Sequence, residues 1–270
     1  MSASADSFDH AIDAWREWQA SPWGRLRYAL AEHNLARHTP ALGRGPLRVL
    51  DLAGADGADA VPLAVRGHHV TVVDYSPGML AAARDRARAA DAGERLATVL
   101  ADVLDLPAEV RGATYDLVLC HNLLQYQEEP GPVLRTVVPL VRPGGLLSVM
   151  AINRHSAPLA LAVRSLDPAA ALRALGERQS RSATFDAGLT LHTAEEITAE
   201  LTVLGCTGVR HYGIRTVADH ITDDARKRDP AFYADLEALE LALTDREPYV
   251  HTARIFHLVA GVPGGGPAAG

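Results

Sequence analysis

The chain has 270 residues, 48% hydrophobic and 22% charged, with a formal net charge of −7. That length accommodates one large α/β domain or a domain with an insertion, and the acidic balance argues against broad electrostatic capture of nucleic acid. Apolar runs such as 159–163 are too short to span a bilayer, and the opening MSASADSFDH lacks a secretory signal, so the expectation is a cytoplasmic protein with no membrane partner.

In chain order, residues 6–40 read as two helical stretches, with Trp15, Trp18, Leu26, Leu30 and Leu35 as apolar spots and Pro22 breaking the run. RGPLRVLDLAG (44–54) switches to a short apolar strand that ends in a small-residue turn. DGADAVPLAVRG (56–67) reads as a helix and HHVTVVDYS (68–76) as a β-branched strand. PGMLAAARDRARAADAG (77–93) is a helix with Pro77 near its start and Gly93 past its end. Strands follow at 95–103 and 115–122, then a helix at 130–141 and a strand at 144–153. Residues 154–190 carry no strand pattern and read as a helical insertion over the crevice followed by a mobile loop. A capping box, Thr193 with Glu196, opens the next helix. Strand-like segments near 208–215 and 251–261 flank a charged helix at about 229–245, and the tail from 262 reads as disordered.

Strands alternating with helices at this spacing predict a mostly parallel sheet. Val49–Leu52 and Leu117–Cys120 are apolar on successive residues, as in strands covered on both faces. The fold class expected is α/β: a doubly wound, Rossmann-like sheet with N-terminal helices and a helical insertion, its ligand crevice at the carboxyl ends of the strands. The parts are an N-terminal cap (1–40), a core (41–153), the insertion or lid (154–192), a carboxyl-terminal part of the core (193–261) and the tail (262–270). Cys120 and Cys206 have no partner at metal-ligand or redox spacing, so buried free thiols and no metal site are expected.

The chemistry concentrates at strand ends. In VLDLAGADG (49–57) a strand carries Asp51 and runs into a turn where backbone N–H groups approach a ligand closely, and the following helix start favours negative charge. Asp74 ends the next strand, where a carboxylate accepts hydrogen bonds from ribose hydroxyls. A dinucleotide fingerprint G-x-G-x-x-G is not supplied by Ala53-Gly54-Ala55-Asp56-Gly57-Ala58.

These residues resemble the class I methyltransferase family, whose first motif reads apolar-apolar-Asp/Glu-apolar-Gly-x-Gly-x-Gly. Ala53 and Ala55 replace two of its glycines, and Gly57 matches the third. Ala55 predicts a cleft narrowed by a methyl group or a shifted turn. The resemblance implies S-adenosylmethionine as cofactor, bound by Arg27, Asp51, Ala53, Gly54, Gly57, Asp74, Tyr75, Met79, Asp102, Val103 and His121. Asp102-Val103 falls at the adenine position. His121 and Asn122 end the strand that faces the methyl-donor site, whereas RPGG (142–145) is a turn feeding the fifth strand.

More narrowly, the chain is similar to the bacterial tRNA 5-carboxymethoxyuridine methyltransferase family from about Gly24 to Val259. GRLR (24–27) matches a family pattern whose arginine, here Arg27, contacts the cofactor carboxylate. VRGHHVTVVDYSPGML (65–80) is similar to the second motif. YGIRTVADHI (212–221) and the segment 228–260, with Glu247-Pro248-Tyr249, Arg254 and His257, match the carboxyl end. The resemblance implies methylation of a carboxylate, which is ionised at neutral pH and needs no general base. His121, Arg215, Tyr249 and Arg254 are then the catalytic candidates, the arginines and tyrosine gripping the acceptor's other oxygen. The related enzymes carry a lysine-rich insertion, and this chain has only scattered Arg164, Arg173, Arg178 and Arg181. Two acceptors therefore stand side by side, tRNA and a small metabolite or natural product. A non-catalytic cofactor-binding protein is a third reading, motivated by Ala53 and Ala55.

Overall fold

The computed structural model describes residues 12–182 and 187–264. The start of the first helical stretch before residue 12, residues 183–186 of the expected mobile loop and tail residues 265–270 lie outside the described residues. Helix α1 (Ile12–Ala20) is followed directly by α2 (Pro22–Ala36). Pro22 begins α2 instead of merely ending α1, because Ser21 is its N-cap, accepting from Gly24 N, and a proline at the first helical position sacrifices no hydrogen bond.

The strands are β1 (Arg48–Leu52), β2 (His69–Asp74), β3 (Leu96–Leu100), β4 (Tyr115–His121) and β5 (Val141–Ile152). Between them lie α3 (Ala60–Val65), α4 (Pro77–Ala89), α5 (Ala108–Arg111) and α6 (Gly131–Val137). Ser76 and Pro77 start α4 with the same Ser-Pro device that starts α2. After the insertion come α9 (Ala194–Val203), β8 (Thr207–Ile214), α10 (Pro230–Leu243) and β9 (Ile255–Gly261). The expected capping box at Thr193 and Glu196 is formed.

One seven-stranded sheet results, in the order β3-β2-β1-β4-β5-β9-β8. The first five strands are parallel, and β9 runs antiparallel between β5 and β8. Residues of β1 and β4 alternate between two cores. Leu50, Leu52, Val118 and Cys120 pack with Val133, Leu134 and Val137 of α6 and Ile197 and Leu201 of α9. Val49, Leu117 and Leu119 pack on the other face with α3 and α4. All seven of these strand residues are at most 1% exposed, as the unbroken apolar runs required. Full burial of each such side chain is worth about 1.5–3 kcal/mol. A third cluster ties Leu26 and Leu30 of α2 and Leu236 of α10 to Met150, Ile214 and Ile255. Cys120 and Cys206 are free and buried, and burial, reinforced by Asp51, pushes the Cys120 thiol up to about 12.

The insertion corrects one expectation. It contains α7 (Ser156–Val163) and α8 (Pro168–Ala174), but then an antiparallel hairpin, β6 (Gln179–Arg181) with β7 (Gly188–Thr190). Every residue of β6 is exposed, so no alternation marks it in the sequence. The pairing comes from β7, whose Leu189 is buried. No helix among the described residues is long and apolar enough to cross a membrane.

Candidate cofactor site and acceptor rim

The crevice lies at the carboxyl ends of β1, β2 and β4, where the chain switches from β1 outward to β4, the usual ligand position of an open α/β sheet. The loop after β1 is built on alternating left-handed residues: Ala53 at φ 54°, Ala55 at φ 46° and Gly57 at φ 72°. The two alanines hold the conformation that glycines adopt freely. The turn keeps its course, and the strain is accepted in place of the shifted turn that Ala55 suggested. Gly54 between them is obligatory, because a Cβ there would stand 2.6 Å from Asp51 Oδ2 and 2.9 Å from Val72 Cγ1. The loop is tied down when Ala55 N donates to Asp74 Oδ2 at 2.9 Å, while Ser76 N donates to Oδ1 of the same carboxylate.

Of the cofactor candidates, Arg27, Asp51, Ala53, Gly54, Asp74, Tyr75, Asp102, Val103 and His121 line this cavity. Gly57 and Met79 do not. Gly57 packs toward Ala83 of α4, and Met79 is fully buried with its N–H donated to the Ser76 cap. Their part is to set the turn and the helix start behind the wall.

Two buried polar atoms in the cavity wall make no hydrogen bond among the described residues, Asp51 Oδ2 and Arg27 Nε. Burial, and then the negative charge of Asp59, raise the Asp51 carboxyl well above its ordinary range. An unpaired buried carboxylate oxygen and an unpaired guanidinium N–H suit a zwitterionic amino-acid end, the one satisfied by an ammonium and the other by a carboxylate. S-adenosylmethionine carries such an end. Asp102 is exposed and spends Oδ1 on Leu104 N.

Asp59, unmarked in the sequence reading, is central. It bridges Arg27 Nη1 and His121 Nδ1, the latter at 3.0 Å. Burial alone would raise its carboxyl; Arg27 and His121 outweigh that and hold it below the carboxylate range. Burial lowers His121, against the opposing pull of Asp59. Behind His121, its Nε2 meets Ser148 Oγ at 2.8 Å, and Ser148 Oγ meets His257 Nε2 at 2.8 Å. Asp56 is the second unmarked carboxylate: it accepts from Trp15 Nε1 and Gln19 Nε2 of α1 and pairs with Arg86, fastening α1 over the cavity. The signal that could have found both is their place in 53–59, inside the loop and one residue ahead of α3.

The acceptor candidates collect on the same rim, farther along the sheet. His121 of β4 pairs with Met150 of β5, which pairs with His257 of β9. Arg254 lies just before β9, two strands from β4, or about 10 Å at usual strand spacing. Arg215 follows β8, and Arg254 N donates to Arg215 O at 3.1 Å. Arg215 is left-handed at φ 62°, and its Nε and Nη2 grip both oxygens of Asp219. It also lies over the Trp18 ring, which stacks on the cavity-lining Trp15 at 4.9 Å. Among the described residues Arg254 makes one long hydrogen bond, Nη1 to Ser156 Oγ at 3.4 Å, and burial lowers its pKa against the opposing charge of Asp219. Arg215 is thus committed to Asp219, and Arg254 is the cation with spare donors. Tyr249 is 44% exposed and joins neither arginine among the described contacts. The structure brings the two arginines together and leaves the tyrosine apart.

Residues 49–145 match the family described as a methyltransferase domain. Over 243 residues the chain is 29% identical to the tRNA 5-carboxymethoxyuridine methyltransferase of Escherichia coli, covering 89% of each chain. It is 30% identical over 158 residues to the ubiquinone biosynthesis O-methyltransferase of Xanthomonas axonopodis, covering 58% of this chain and 64% of that one. A possible histamine N-methyltransferase from Thermotoga maritima superposes with a TM-score of 0.63 at 13% identity, covering 96% of this chain and 100% of that one. Magnesium protoporphyrin IX methyltransferase from Synechocystis, solved with S-adenosylhomocysteine, gives a TM-score of 0.63 at 16% identity, covering 95% and 96%.

Proposed function

Since the chain is a class I S-adenosylmethionine-dependent methyltransferase, we propose that it methylates a carboxylate oxygen of an anionic acceptor, and that this acceptor is 5-carboxymethoxyuridine in tRNA. The observation that carries the reading is Arg254, a partly buried guanidinium at the same sheet edge as the crevice but outside its lining, which feels the charge of Asp219 and among the described residues makes one long hydrogen bond. A carboxylate brought there gains a planar, bidentate partner and is not left desolvated without counter-charge. The similarity to the tRNA enzyme covers 89% of both chains, whereas that to the ubiquinone enzyme covers 58% of this chain and 64% of that one.

When bound, S-adenosylmethionine supplies an electrophilic methyl group on a sulfonium. Arg27 and Asp51 hold the methionine end, Asp74 the ribose hydroxyls, and Asp102 with Val103 the adenine. Tyr75 lines the cavity beside them. His121 stands at the transfer zone. Arg254, steadied by the Arg215–Asp219 pair, orients the acceptor carboxylate, whose free oxygen is already the nucleophile. The insertion serves as a cover: Ser182 hydrogen-bonds Tyr126, a cavity-wall residue.

A small anionic metabolite is the second reading. Among the described residues two insertion arginines are held apart by their own partners: Arg164 by Asp224 and the carbonyls of Asp219 and Ile221, and Arg178 by His192. The experiment is incubation with methyl-labelled cofactor and tRNA bearing the carboxymethoxy group. Base-labile label in tRNA, the mark of a methyl ester, is the expected result. Label absent from tRNA but taken up by a small-molecule fraction of a cell extract incubated in parallel decides for the second reading.

A further inference from the structure

The buried row Asp59, His121, Ser148, His257 joins α3's leading residue to β4, β5 and β9 with hydrogen bonds of 3.0, 2.8 and 2.8 Å. Its proton positions follow from donor and acceptor inventory. An ionised Asp59 accepts only, so His121 Nδ1 carries the hydrogen. In a neutral imidazole His121 Nε2 is then an acceptor, and the Ser148 hydroxyl must donate to it. Ser148 Oγ is left to accept, and His257 Nε2–H donates. The remaining atom, His257 Nδ1, is a bare lone pair, and it is the atom of this fully buried residue that has no hydrogen-bond partner among the described residues.

The reverse arrangement carries a penalty. A proton on His121 Nε2 would have to donate to Ser148 Oγ. The hydroxyl would turn to His257 Nε2, and His257 would have to carry its hydrogen on Nδ1. That places an unpaired N–H in an apolar interior, which is costlier than an unpaired imidazole lone pair. His257 is surrounded by His121, by Tyr212 of β8 and, past Tyr212, by His38, whose Nε2 meets the Tyr212 hydroxyl at 2.7 Å. Asp59 and Arg27 are the charged groups that act on His121, and Asp51 lies in the same cavity wall.

We propose that Ser148 and His257 are positioning residues: through this one-way chain they hold His121 as the neutral Nδ1–H tautomer, keeping a second positive charge out of a cavity wall that receives a sulfonium cation. The wall already contains the Arg27 guanidinium, balanced by Asp59. An imidazolium beside it would oppose a cationic cofactor and leave its sulfur-neutral product untouched. The inference concerns the cofactor and is independent of which acceptor is methylated.

The test uses the full chain labelled with ¹⁵N-histidine, and His257→Phe and Ser148→Ala variants of it. His121 is assigned by the signals lost in His121→Gln. Expected in the unaltered chain is a protonated Nδ1 and a bare Nε2 at neutral pH, retained below the pH at which an ordinary imidazole titrates. In either variant the His121 titration moves up by about one unit; S-adenosylmethionine affinity matches the unaltered chain at about pH 8 and falls below it as the pH drops, by up to about tenfold at a pH below both titrations. S-adenosylhomocysteine, neutral at sulfur, changes far less. An Nε2–H or cationic His121 in the unaltered chain overturns the proposal. So does a variant in which both ligands weaken equally at both pH values, since that is the behaviour of a packing defect. Ser148→Ala removes a single oxygen and keeps the test readable where His257→Phe does not fold.

Discussion

At the scale of single residues, the turn after β1 shows how a departure from a motif is absorbed. Ala53 and Ala55 keep left-handed backbone that costs about 1–2 kcal/mol for a residue with a Cβ. Glycine gives back about 0.5–1 kcal/mol through its looser unfolded chain. Ala55→Gly is therefore expected to stabilise the fold by about 0.5–1 kcal/mol, read from urea unfolding midpoints; a loss of stability would mean that the turn is not strained. Asp74 does two jobs, because its oxygens hold Ala55 N and Ser76 N while facing the cavity. Asp74→Asn removes the charge with little change of shape. It is expected to weaken cofactor binding by about 1.5–3 kcal/mol in calorimetry, with a smaller change in melting temperature. Unchanged affinity would remove Asp74 from the cofactor site. For the rim, Arg254→Lys loses the planar fork and keeps the charge. It is expected to raise the apparent acceptor constant about tenfold with cofactor affinity unchanged, more than Arg215→Lys does, because Arg215 already spends its fork on Asp219. Equal effects of both substitutions on both ligands would make the arginines structural cations only.

At the scale of elements, the segment between β8 and α10 is set by one buried carboxylate. Glu240 of α10 is 0% exposed, and it accepts the backbone N–H groups of Thr216, Val217 and Ala218 at 2.7, 2.9 and 2.7 Å. Those amides follow the left-handed Arg215 directly, so Glu240 fixes where that guanidinium and Asp219 stand. Glu240→Gln would turn an amide N–H toward backbone donors. The expected cost is about 1–3 kcal/mol in stability, with a raised acceptor constant and unaltered cofactor affinity. Stability equal to the unaltered chain would mean that this loop holds itself. The hairpin of β6 and β7 shows the opposite dependence: its exposed β6 has no pattern of its own and takes its form from a partner strand. That is why the insertion read as helix and loop, while α9, with its capping box written in four residues, was legible in full.

At the scale of the whole molecule, the buried histidines set the response to acid. Burial, and then His251, lower His211 to about 4, and burial lowers His121, His192 and His257 as well. In the unfolded chain these groups take up protons near the ordinary 6.5. The unfolded state then binds more protons than the folded one below that pH, so stability is fully present above about 6.5 and declines as pH falls toward 4. Depressed carboxyls such as Asp59 and Asp219 add their own loss as pH falls through the ordinary carboxylate range and below it, whereas the raised Asp51 carboxyl, which takes up its proton earlier in the fold, works against the loss. Thermal unfolding between about pH 7.5 and pH 4.5 should show midpoints falling through this window, and a flat profile would mean that the histidines are not neutral in the fold.

The sequence by itself determined the chain order of the seven strands of the main sheet, the two-faced burial of β1 and β4, and the strand-end carboxylates Asp51 and Asp74. Each of these is local: apolar period, turn residues and cap chemistry act within a few positions, and a parallel sheet places every strand end on one rim. Tertiary structure alone decided what those residues touch. Asp59 meets Arg27 from 32 residues away and His121 from 62, and Ser148 meets His257 across 109. Tertiary structure also assigned Arg215 to Asp219 and left Arg254 open, which identical residue types could not reveal. A side chain's partner is chosen by strand register and by which buried donors lack an acceptor, and both exist only once the sheet has closed around them.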